Sequence, residues 1–419
     1  MNWLTGTLND IFIFENGKGI TRNKIKDKGN YPIMGANGVI GYTDKFLYNK
    51  PINIIGRVGS SGEVHRSDKP CWVSDNAIVA KSNEKSDDLF NYYLLKGTNI
   101  KQIVIGSTQP LLTQSGLKTI PIKIPPIEVQ KKIASYLNKF DEKIITNLKI
   151  NKQIEEIAGT IFKSWFIDFN PVRAKNEGRY IGLSKEISDL FPDSFEDTEI
   201  GEIPKGFVLS KLGDHIKISK GKSYKSNELK DSDTALVTLK SFERNGGYRE
   251  DGLKEYIGSF KEEQIVKEGD LIVAFTDVTQ SADVIGKPAI IIDNQKYTNL
   301  VISLDVGVVR TVDQSPLSKS FIYFLMLSKR YASNSLGYTN GTNVLHLDKK
   351  AITEFMFCLP NNELLERFDL ISKDILKKIS LNTHENKVLT SLKNIFLPKL
   401  ISGELNISNK EKEVIRENI

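Results

Sequence analysis

Residues 127–175 read IEVQKKIASYLNKFDEKIITNLKINKQIEEIAGTIFKSWFIDFNPVRAK and carry the pattern that decides the fold. Apolar side chains recur there at alternating steps of four and three residues, which is the spacing of a coiled-coil seam. We call these positions the first seam: Ile133, Leu137, Phe140, Ile144, Ile154, Ala158, Ile161 and Trp165. Asn147 and Asn151 interrupt it. So narrow an apolar stripe predicts a long helix that pairs with one other helix instead of facing a broad core.

A second seam lies in residues 361–405, NNELLERFDLISKDILKKISLNTHENKVLTSLKNIFLPKLISGEL. A shift of 235 residues carries the first seam onto Phe368, Ser372, Ile375, Ile379, Leu389, Lys393, Phe396 and Leu400. Only Ser372 and Lys393 are not apolar, and the same shift carries the two asparagines onto Asn382 and Asn386. The repeat predicts that the helices pair antiparallel with these amides opposite one another. The alternative is two unrelated amphipathic helices.

Composition limits the class of protein. A chain of 419 residues with 39% hydrophobic and 26% charged residues is typical of a globular protein with two or three domains. Its net charge of +6 and its pI near 8.9 permit a nucleic-acid partner without requiring one. Cys71 and Cys358 are far apart in sequence, which favours a reducing, cytoplasmic setting. No signal peptide opens the chain and no apolar run reaches the length of a membrane span, so we expect no membrane partner.

The remainder of the chain also repeats. Residues 1–124 contain short strand-like runs separated by turns rich in Gly and Asn, which predicts a β-rich domain. Residues 2–19 align with residues 206–223 at a shift of 204, which matches Gly17-Lys18 with Gly221-Lys222. Further matches are FNYYLL (90–95) with FIYFLM (321–326), and GSTQPLLT (106–113) with NGTNVLHLD (340–348).

These repeats predict an α+β fold with an internal tandem pseudo-repeat. Two β-rich domains are separated by two long α-helices that pair as an antiparallel coiled coil. The predicted boundaries are 1–124 for the first β-rich domain, 125–166 for the first long helix, 167–205 for a linker with a short helix, 206–360 for the second β-rich domain, 361–402 for the second long helix and 403–419 for a tail.

No catalytic motif emerges from the sequence. Gly221-Lys222-Ser223 resembles the end of a phosphate-binding loop, but Ile216 occupies the position of the required first glycine. The string Asp168-Phe169-Asn170-Pro171-Val172 lacks the second proline and the aromatic residue of a methyltransferase motif. A Glu-x-Lys triplet at 228–230 is of a kind common in a lysine-rich chain, and the histidines and cysteines have no zinc spacing. We therefore expect no catalytic residue, no metal ligand and no cofactor in this chain.

Contact with DNA is the chemistry that the residue types support, because Lys and Arg bind phosphates while Arg, Lys, Asn, Gln, Ser and Thr read base edges. In the first β-rich domain the candidates are Lys18, Arg22, Asn23, Asn37, Arg57, Ser60, Ser61, His65, Arg66, Ser107, Thr108 and Gln109. In the second they are Lys220, Lys222, Tyr224, Lys225, Lys240, Arg244, Arg249, Thr276, Thr279, Gln280, Asn340 and Asn343.

Each candidate also has a plainer interpretation. Asn37 and Gly38 could serve only a turn that needs positive φ. Trp72 is more often a core residue than a platform for base stacking. A charged loop residue is usually just solvated, so only part of the set is expected to touch DNA.

The chain resembles the specificity subunit (HsdS) of Type I restriction-modification systems over nearly its whole length. The most specific stretches are IFKSWFIDFNPVRAK (161–175) with LFPDSFEDTEIGEIPKGF (190–207), which look like the central conserved region and its exit, and NIFLPKLISGEL (394–405), which looks like the closing helix. YPIMGANGVIGYTDKF (31–46), GRVGSSG (56–62), WVSDNAIV (72–79) and GSTQPLLT (106–113) are similar to a target-recognition domain of that family. The second domain departs more: its counterpart of WVSDNAIV is only YTNLVIS (297–303), and the GRVGSSG turn is not recognisable there.

The resemblance implies a non-catalytic subunit whose two target-recognition domains each read one half of an interrupted, asymmetric site in double-stranded DNA. Two methyltransferase subunits would dock on the long helices, and two motor-nuclease restriction subunits would join them. S-adenosylmethionine, ATP and Mg²⁺ would bind to those partners. The alternative is a DNA methyltransferase or nuclease with its own catalytic site. A coiled-coil adaptor without DNA contact is disfavoured, because a spacer would not need two domains with elaborate polar loops.

Overall fold

The computed structural model describes residues 3–104, 111–180, 182–199, 201–279, 281–292 and 296–406. The helices of this part of the chain are α1 (Asp88–Gly97), α2 (Gln114–Lys118), α3 (Ile127–Phe166), α4 (Asn170–Asn176), α5 (Lys185–Ser188), α6 (Lys319–Leu327), α7 (Lys329–Gly337), α8 (Lys350–Thr353) and α9 (Asn362–Ser402). The α+β class and the two long helices, α3 and α9, agree with the prediction.

The strands fall into two series, one before α3 and one after it. The first series is β1 (Leu4–Thr7), β2 (Phe12–Asn16), β3 (Tyr31–Gly35), β4 (Gly38–Thr43), β5 (Ile52–Gly56), β6 (Val64–Ser67), β7 (Trp72–Val73), β8 (Ala77–Ser82) and β9 (Pro121–Ile124). The second series is β10 (Phe195–Thr198), β11 (Gly201–Pro204), β12 (Val208–Lys211), β13 (Ile216–Lys220), β14 (Thr234–Val237), β15 (Lys254–Glu255), β16 (Ile265–Val266), β17 (Leu271–Ala274), β18 (Thr276–Asp277), β19 (Pro288–Ile290), β20 (Asn299–Ile302), β21 (Val306–Thr311), β22 (Thr339–Asn340), β23 (Leu345–Leu347) and β24 (Met356–Leu359).

The chain divides into two compact units. The first unit comprises Met1–Ile145 and Asn386–Ile419, and the second comprises Thr146–Glu385. Each unit therefore contains one β-rich part together with a segment of α3 and a segment of α9. We describe the two units separately.

Hydrogen bonds of Pro125, Pro126 and Gln130 define the start of α3. The carbonyl of Pro126 accepts hydrogen bonds from the backbone N–H groups of Val129 and Gln130 at 2.8 and 3.0 Å. The buried side chain of Gln130 donates to the Pro125 carbonyl and accepts from the N–H of Asp87, both at 2.8 Å. These bonds satisfy donors that a helix start leaves unpaired, and they tie α3 to the N-terminal cap of α1.

In the first unit, the start of α3 packs against the end of α9. The ring of Phe396 lies 5.9 Å from that of Tyr136 and 6.3 Å from that of Phe140. In these segments of the two helices, the buried seam side chains are Ile133, Leu137, Phe140, Leu389 and Leu400. The N-terminal part of α3 thus contacts the C-terminal part of α9, which is the antiparallel pairing that the seams predict.

Lys393 is one of the two non-apolar residues of the second seam, and the fold accounts for it. Its ammonium group forms an ion pair with Asp141 of α3, and both side chains are mostly buried, at 22% and 23% exposure. Asp141 also accepts a hydrogen bond of 2.8 Å from the hydroxyl group of Tyr93 in α1. The pair thus joins both long helices to the β-rich part of the first unit.

In the second unit, the end of α3 packs against the start of α9. The ring of Phe368 lies 5.4 Å from that of Phe162 and 6.4 Å from that of Trp165. Ser372, the other non-apolar seam residue, is fully buried, and its hydroxyl group donates to the carbonyl of Asp369 at 3.3 Å. A serine is tolerated there because its hydroxyl group is satisfied within its own helix.

The asparagine layer forms between the helices in the second unit. Asn382 donates to the side-chain oxygen of Asn151 at 2.7 Å, as the predicted pairing requires. Asn147 donates to the carboxylate of Glu385 at 2.7 Å. Asn147 and Asn382 are each only 2% exposed. Buried amides therefore satisfy their polar atoms across the seam, which favours a single helix register.

The two β-rich parts repeat one sheet topology, which confirms the tandem pseudo-repeat. One four-stranded sheet has the order β2-β8-β5-β6 and the other has the order β13-β21-β17-β19. In both parts a parallel pair accompanies this sheet, β3 with β7 and β14 with β20. An antiparallel pair closes each part, β1 with β9 and β12 with β24.

The predicted match of Gly17-Lys18 with Gly221-Lys222 has a steric cause. A Cβ atom on Gly17 would lie 2.0 Å from the carbonyl oxygen of Ser74, and one on Gly221 would lie 2.1 Å from that of Ile302. Only glycine allows this close approach of two backbones. The following lysine in each unit donates its backbone N–H to the same strand, at 2.8 Å and 2.9 Å respectively.

Two features differ from the sequence interpretation. The predicted linker 167–205 contains α4 and α5 and also a hairpin of β10 with β11, which the sequence reading missed. The turn at 56–62 does have a counterpart in the second unit, in the segment that follows β17. Leu112 donates its N–H to the carbonyl of Arg57, and Leu347 donates in the same way to that of Phe275. Only backbone hydrogen bonds reveal this match, because the two segments share no sequence.

The asparagine layer can be tested by substitution. Asn151→Leu alone should lower the free energy of unfolding by about 1–3 kcal/mol, because the buried amide of Asn382 loses its acceptor. Asn151→Leu combined with Asn382→Leu should recover most of that loss while loosening the register of the helices. Urea unfolding of the wild type, both single variants and the double variant measures the effect. A double variant less stable than either single variant would contradict the pairing.

Candidate nucleic-acid interface

The first candidates lie on exposed loops of the first unit. Lys18 follows β2, and its carbonyl accepts a hydrogen bond of 2.8 Å from the indole N–H of Trp72. Arg22 and Asn23 are exposed on a short 3₁₀ helix, Arg22–Lys24. Trp72 is half-buried, and this hydrogen bond makes its ring a support for the loop that carries Lys18.

Asn37 lies in the turn between β3 and β4. Gly38, with φ of 93°, is the residue that adopts the positive φ of this turn. Asn37 is exposed and has an ordinary backbone, so the turn itself does not require its side chain. The amide of Asn37 is thus available to a ligand.

The loop after β5 is held by its own side chains. The hydroxyl group of Ser61 donates to the carbonyl of Arg57 at 2.9 Å, and Ser61 is buried. The guanidinium group of Arg57 reaches the carbonyl of Asp75 at 3.4 Å, and Ser60 is half-buried. Ser61 therefore shapes the loop, whereas Arg57 and Ser60 lie at its surface.

Arg66 and His65 follow on β6. The guanidinium group of Arg66 is only 12% exposed and lies 2.7 Å from a carboxylate oxygen of Asp68 and 2.9 Å from one of Asp88. Two carboxylates thus neutralise it inside the fold. Burial and the positive charge of Lys96 lower the pKa of His65, which disfavours its charged form.

Several candidates of the second unit surround the end of β13. The ammonium group of the exposed Lys220 lies 4.6 Å from the ring centre of Phe275, at cation–π distance. Lys222 donates to the hydroxyl group of Ser259 at 3.3 Å. The hydroxyl group of Tyr224 accepts a hydrogen bond of 3.3 Å from Lys254, a cation that the sequence reading did not select. Lys225 is exposed beside them.

Another group lies beyond β14. Lys240 is exposed, and Arg244 is 81% exposed with its guanidinium group 3.7 Å from the carboxylate of Asp283. Arg249 makes two hydrogen bonds with Asp251, at 3.0 and 2.6 Å, which raise the pKa of its guanidinium group. Lys240 and Arg244 can reach a ligand, whereas the charge of Arg249 is already matched by a carboxylate.

The three-stranded sheet of β18, β23 and β22 gathers the remaining described candidates. Thr276 is buried and donates to Asp305 at 2.9 Å, and the hydroxyl group of Thr279 donates to Asp277 at 2.7 Å. Asn340 and Asn343 are exposed. Ser107, Thr108, Gln109 and Gln280 lie outside the described residues.

Asp277 has a positioning role that sequence reasoning missed. It is 2% exposed, and its carboxylate accepts 2.7 Å hydrogen bonds from the N–H groups of Thr279 and Val284 and one of 3.2 Å from that of Ile285. Burial alone would raise its pKa, but these hydrogen bonds hold the pKa below the usual value for an aspartate. The charged carboxylate therefore organises the loop after β18. An Asp-x-Thr pattern is too common in sequences to reveal this role.

Two classes of site have no support within the described ranges. No group of three or more His, Cys, Asp or Glu side chains is arranged there to hold a metal ion. None of the helices described has both the length and the apolar character needed to cross a bilayer.

Comparisons with known proteins agree with the geometry. A sequence profile described as the Type I restriction modification DNA specificity domain matches residues 1–156. The specificity subunit of the Type I restriction enzyme MjaIX of Methanocaldococcus jannaschii is 28% identical over 344 residues, which cover 79% of this chain and 71% of that protein. The specificity subunit of the enzyme HindI of Haemophilus influenzae is 24% identical and covers 71% of this chain and 72% of its own.

A solved structure supports the fold over the whole chain. The S subunit of a Type I restriction-modification system from M. genitalium superposes with a TM-score of 0.54 at 17% sequence identity, covering 97% of each chain. The chain thus shares its fold with that solved structure. The first part of the chain thus matches a Type I DNA specificity domain, and most of its length is similar to proteins named as Type I specificity subunits.

Unfolding measurements can distinguish an arginine that stabilises the fold from one that is exposed and available to DNA. Arg66→Ala should lower the free energy of unfolding by on the order of 2 kcal/mol, because hydrogen bonds to charged groups contribute ~1.5–3 kcal/mol. Arg22→Ala, the matched exposed control, should stay within about 0.5 kcal/mol of wild type. Chemical denaturation measures both variants. Equal stability of the two variants would show that Arg66 is not held as described.

Proposed function

We propose that this chain is the DNA-reading subunit of a Type I restriction-modification enzyme, and that each β-rich part reads one half of an interrupted, asymmetric site in double-stranded DNA. The observation that carries the proposal is one sheet topology that occurs twice with different polar loops. A repeated scaffold supports one task performed twice. Unlike loops support two different half-sites, because base-edge contacts depend on the identity of the side chain.

The proposed DNA contacts are described candidates that are exposed or half-buried, and some of them also bond to other residues of their own unit. They are Lys18, Arg22, Asn23, Asn37, Arg57 and Ser60 in the first unit, and Lys220, Lys222, Tyr224, Lys225, Lys240, Arg244, Asn340 and Asn343 in the second. Ser61, Arg66, Arg249, Thr276 and Thr279 support the loops, because their polar atoms bind other residues of the same unit. His65 and the four candidates outside the described residues stay predictions.

Chemistry on the DNA is proposed to belong to partner subunits in the cytoplasm. Two methyltransferase subunits would bind S-adenosylmethionine, and two restriction subunits would bind ATP and Mg²⁺. We propose that a methyltransferase subunit docks on α9 in the first unit. Val388, Leu392 and Ile395 lie on one face of the helix and are 45%, 37% and 54% exposed. Neighbouring exposed apolar side chains are typical of an interaction surface.

The alternative function, a methyltransferase or nuclease with its own catalytic site, has no observation in its favour. The sequence lacks the cofactor motifs, and the relatives described above are named specificity subunits.

The first functional prediction concerns partner dependence. The purified chain should not methylate or cleave DNA, with or without S-adenosylmethionine. Together with its methyltransferase subunits it should support methylation of adenine within one defined motif. Transfer of radiolabelled methyl groups to genomic DNA, followed by sequencing of the modified bases, measures both. Methyl transfer by the chain alone would overturn the assignment.

The second functional prediction concerns modularity. Replacing residues 1–124 by the corresponding domain of another specificity subunit should change one half of the methylated motif and leave the other half intact. Replacing residues 206–360 is the reciprocal control and should change only the other half. Sequencing of methylated bases in both chimeras gives the result. A chimera in which both halves change, or neither does, would refute separate reading.

A further inference from the structure

An antiparallel strand pair with an exposed connecting turn forms one edge of the three-stranded sheet β18-β23-β22 in the second unit. We call residues 339–347 the ribbon: β22 pairs with β23 so that Thr339 lies opposite Leu347 and Asn340 lies opposite His346. Directly opposed residues of an antiparallel pair point to the same face. Leu347 is buried in the core of the unit, whereas Asn340 and His346 are exposed. One face thus anchors the ribbon and the other presents an amide beside an imidazole.

The base of the ribbon is fixed by the sheet. Leu347 donates its N–H to the carbonyl of Phe275 at 2.8 Å, and His346 lies opposite Thr276 of β18. At the tip, Gly341 has φ of 113°, and a Cβ atom there would lie 2.1 Å from the carbonyl oxygen of Val344. Position 341 at the tip therefore needs glycine.

Positive charge lies at the base of the ribbon. Lys220 lies over the ring of Phe275, the residue whose carbonyl accepts the hydrogen bond from Leu347. Lys349 follows the ribbon, is exposed, and donates to the carbonyl of Ile218, on the same strand as Lys220, at 3.2 Å. Two cations are thus anchored on one strand beside the ribbon. That is the arrangement needed to hold phosphates while the ribbon reaches into a groove.

The acidic side chains next to the ribbon accept hydrogen bonds from other residues of the same unit. Residues 338–347, YTNGTNVLHL, contain no acidic residue. Asp348 accepts a hydrogen bond of 2.9 Å from the backbone N–H of Lys350 at the start of α8. Asp277 is occupied by the loop after β18, and Asp305 accepts from Thr276. The exposed face of the ribbon is therefore polar without carrying acidic groups that would repel DNA.

We propose that the ribbon enters the major groove and that Asn340 and His346 read base edges in the half-site recognised by the second unit. The major groove, about 12 Å wide, admits a two-stranded β-ribbon. The Asn340 amide offers one donor and one acceptor side by side, which match N7 and the N6 amine of adenine. The imidazole of His346 can donate to N7 or O6 of a guanine nearby. This inference rests on the proposed function of the chain.

His346 was not among the residues selected from the sequence. His346 lies directly opposite Asn340 only because β22 and β23 pair in this register. A shift by one residue would turn Leu345 or Leu347 outward in its place.

The test uses the methyltransferase assembled from this chain and its methyltransferase subunits. Wild type, Asn340→Ala and His346→Ala are given a library of duplexes randomised across the motif, and the methylated molecules are sequenced. Each variant should relax one position in the half read by the second unit, as assigned by the domain chimeras. Discrimination at that position should fall by about 5- to 150-fold, the range for loss of a good base contact. The other half should not change.

Two further variants sharpen the result. Asn340→Asp keeps the acceptor and loses the donor, so preference should move from adenine towards cytosine, whose N4 amine donates. Asn176→Ala removes another exposed asparagine of the second unit, at the end of α4, and should leave the motif unchanged. Thermal unfolding of all variants should match wild type, because the substituted side chains are exposed.

The outcomes separate this inference from the proposed function. A wild-type complex without any motif would refute the proposed function itself. A wild-type motif that persists unchanged in Asn340→Ala and His346→Ala, or that relaxes in both halves, would refute the ribbon alone. If either variant abolishes methylation, co-purification with the methyltransferase subunits and competition between specific and randomised duplexes decide. Lost assembly refutes the proposal, and lost specificity with retained non-specific binding supports it.

Discussion

Neither long helix can bury its narrow apolar seam alone. The rest of the structure depends on the burial of each seam against the other helix. α3 and α9 have 40 and 41 residues, and in each unit a segment of one packs antiparallel on a segment of the other. Polar residues within the seams make the pairing specific. The Asn151–Asn382 hydrogen bond and the Lys393–Asp141 ion pair can form only in one register, because a shifted helix would leave buried polar groups unpaired.

The same physical argument separates the constant from the variable parts of the β-rich units. Positions where two backbones approach closely tolerate only glycine, so Gly17 and Gly221 mark the same point of the fold in both halves. The segments after β5 and after β17 meet equivalent backbone partners but carry different side chains. Backbone hydrogen bonds thus maintain the scaffold, while side chains in those loops are free to differ between half-sites.

The basic residues of this chain do not act as one class. Arg66 and Arg249 each contact carboxylates and support local structure, whereas Lys220 and Arg22 project from the surface. Some acidic side chains are likewise held by contacts within the protein. Asp277 is the clearest case, since four hydrogen bonds turn its carboxylate towards the protein.

The sequence by itself determined the two seams, their asparagines, the tandem repeat and the Gly-Lys turns. Apolar periodicity reveals a helix seam, and a glycine recurs wherever two backbones approach too closely for a side chain. It also indicated the family. Only the tertiary structure decided which charges are paired, since the partners of Arg66 and of Lys393 come from separate elements. The hairpin of β10 with β11, the counterpart of the 56–62 turn and the alignment of His346 with Asn340 also required it. Strand register and long-range hydrogen bonding place these residues, and neither leaves a periodic signal in the chain.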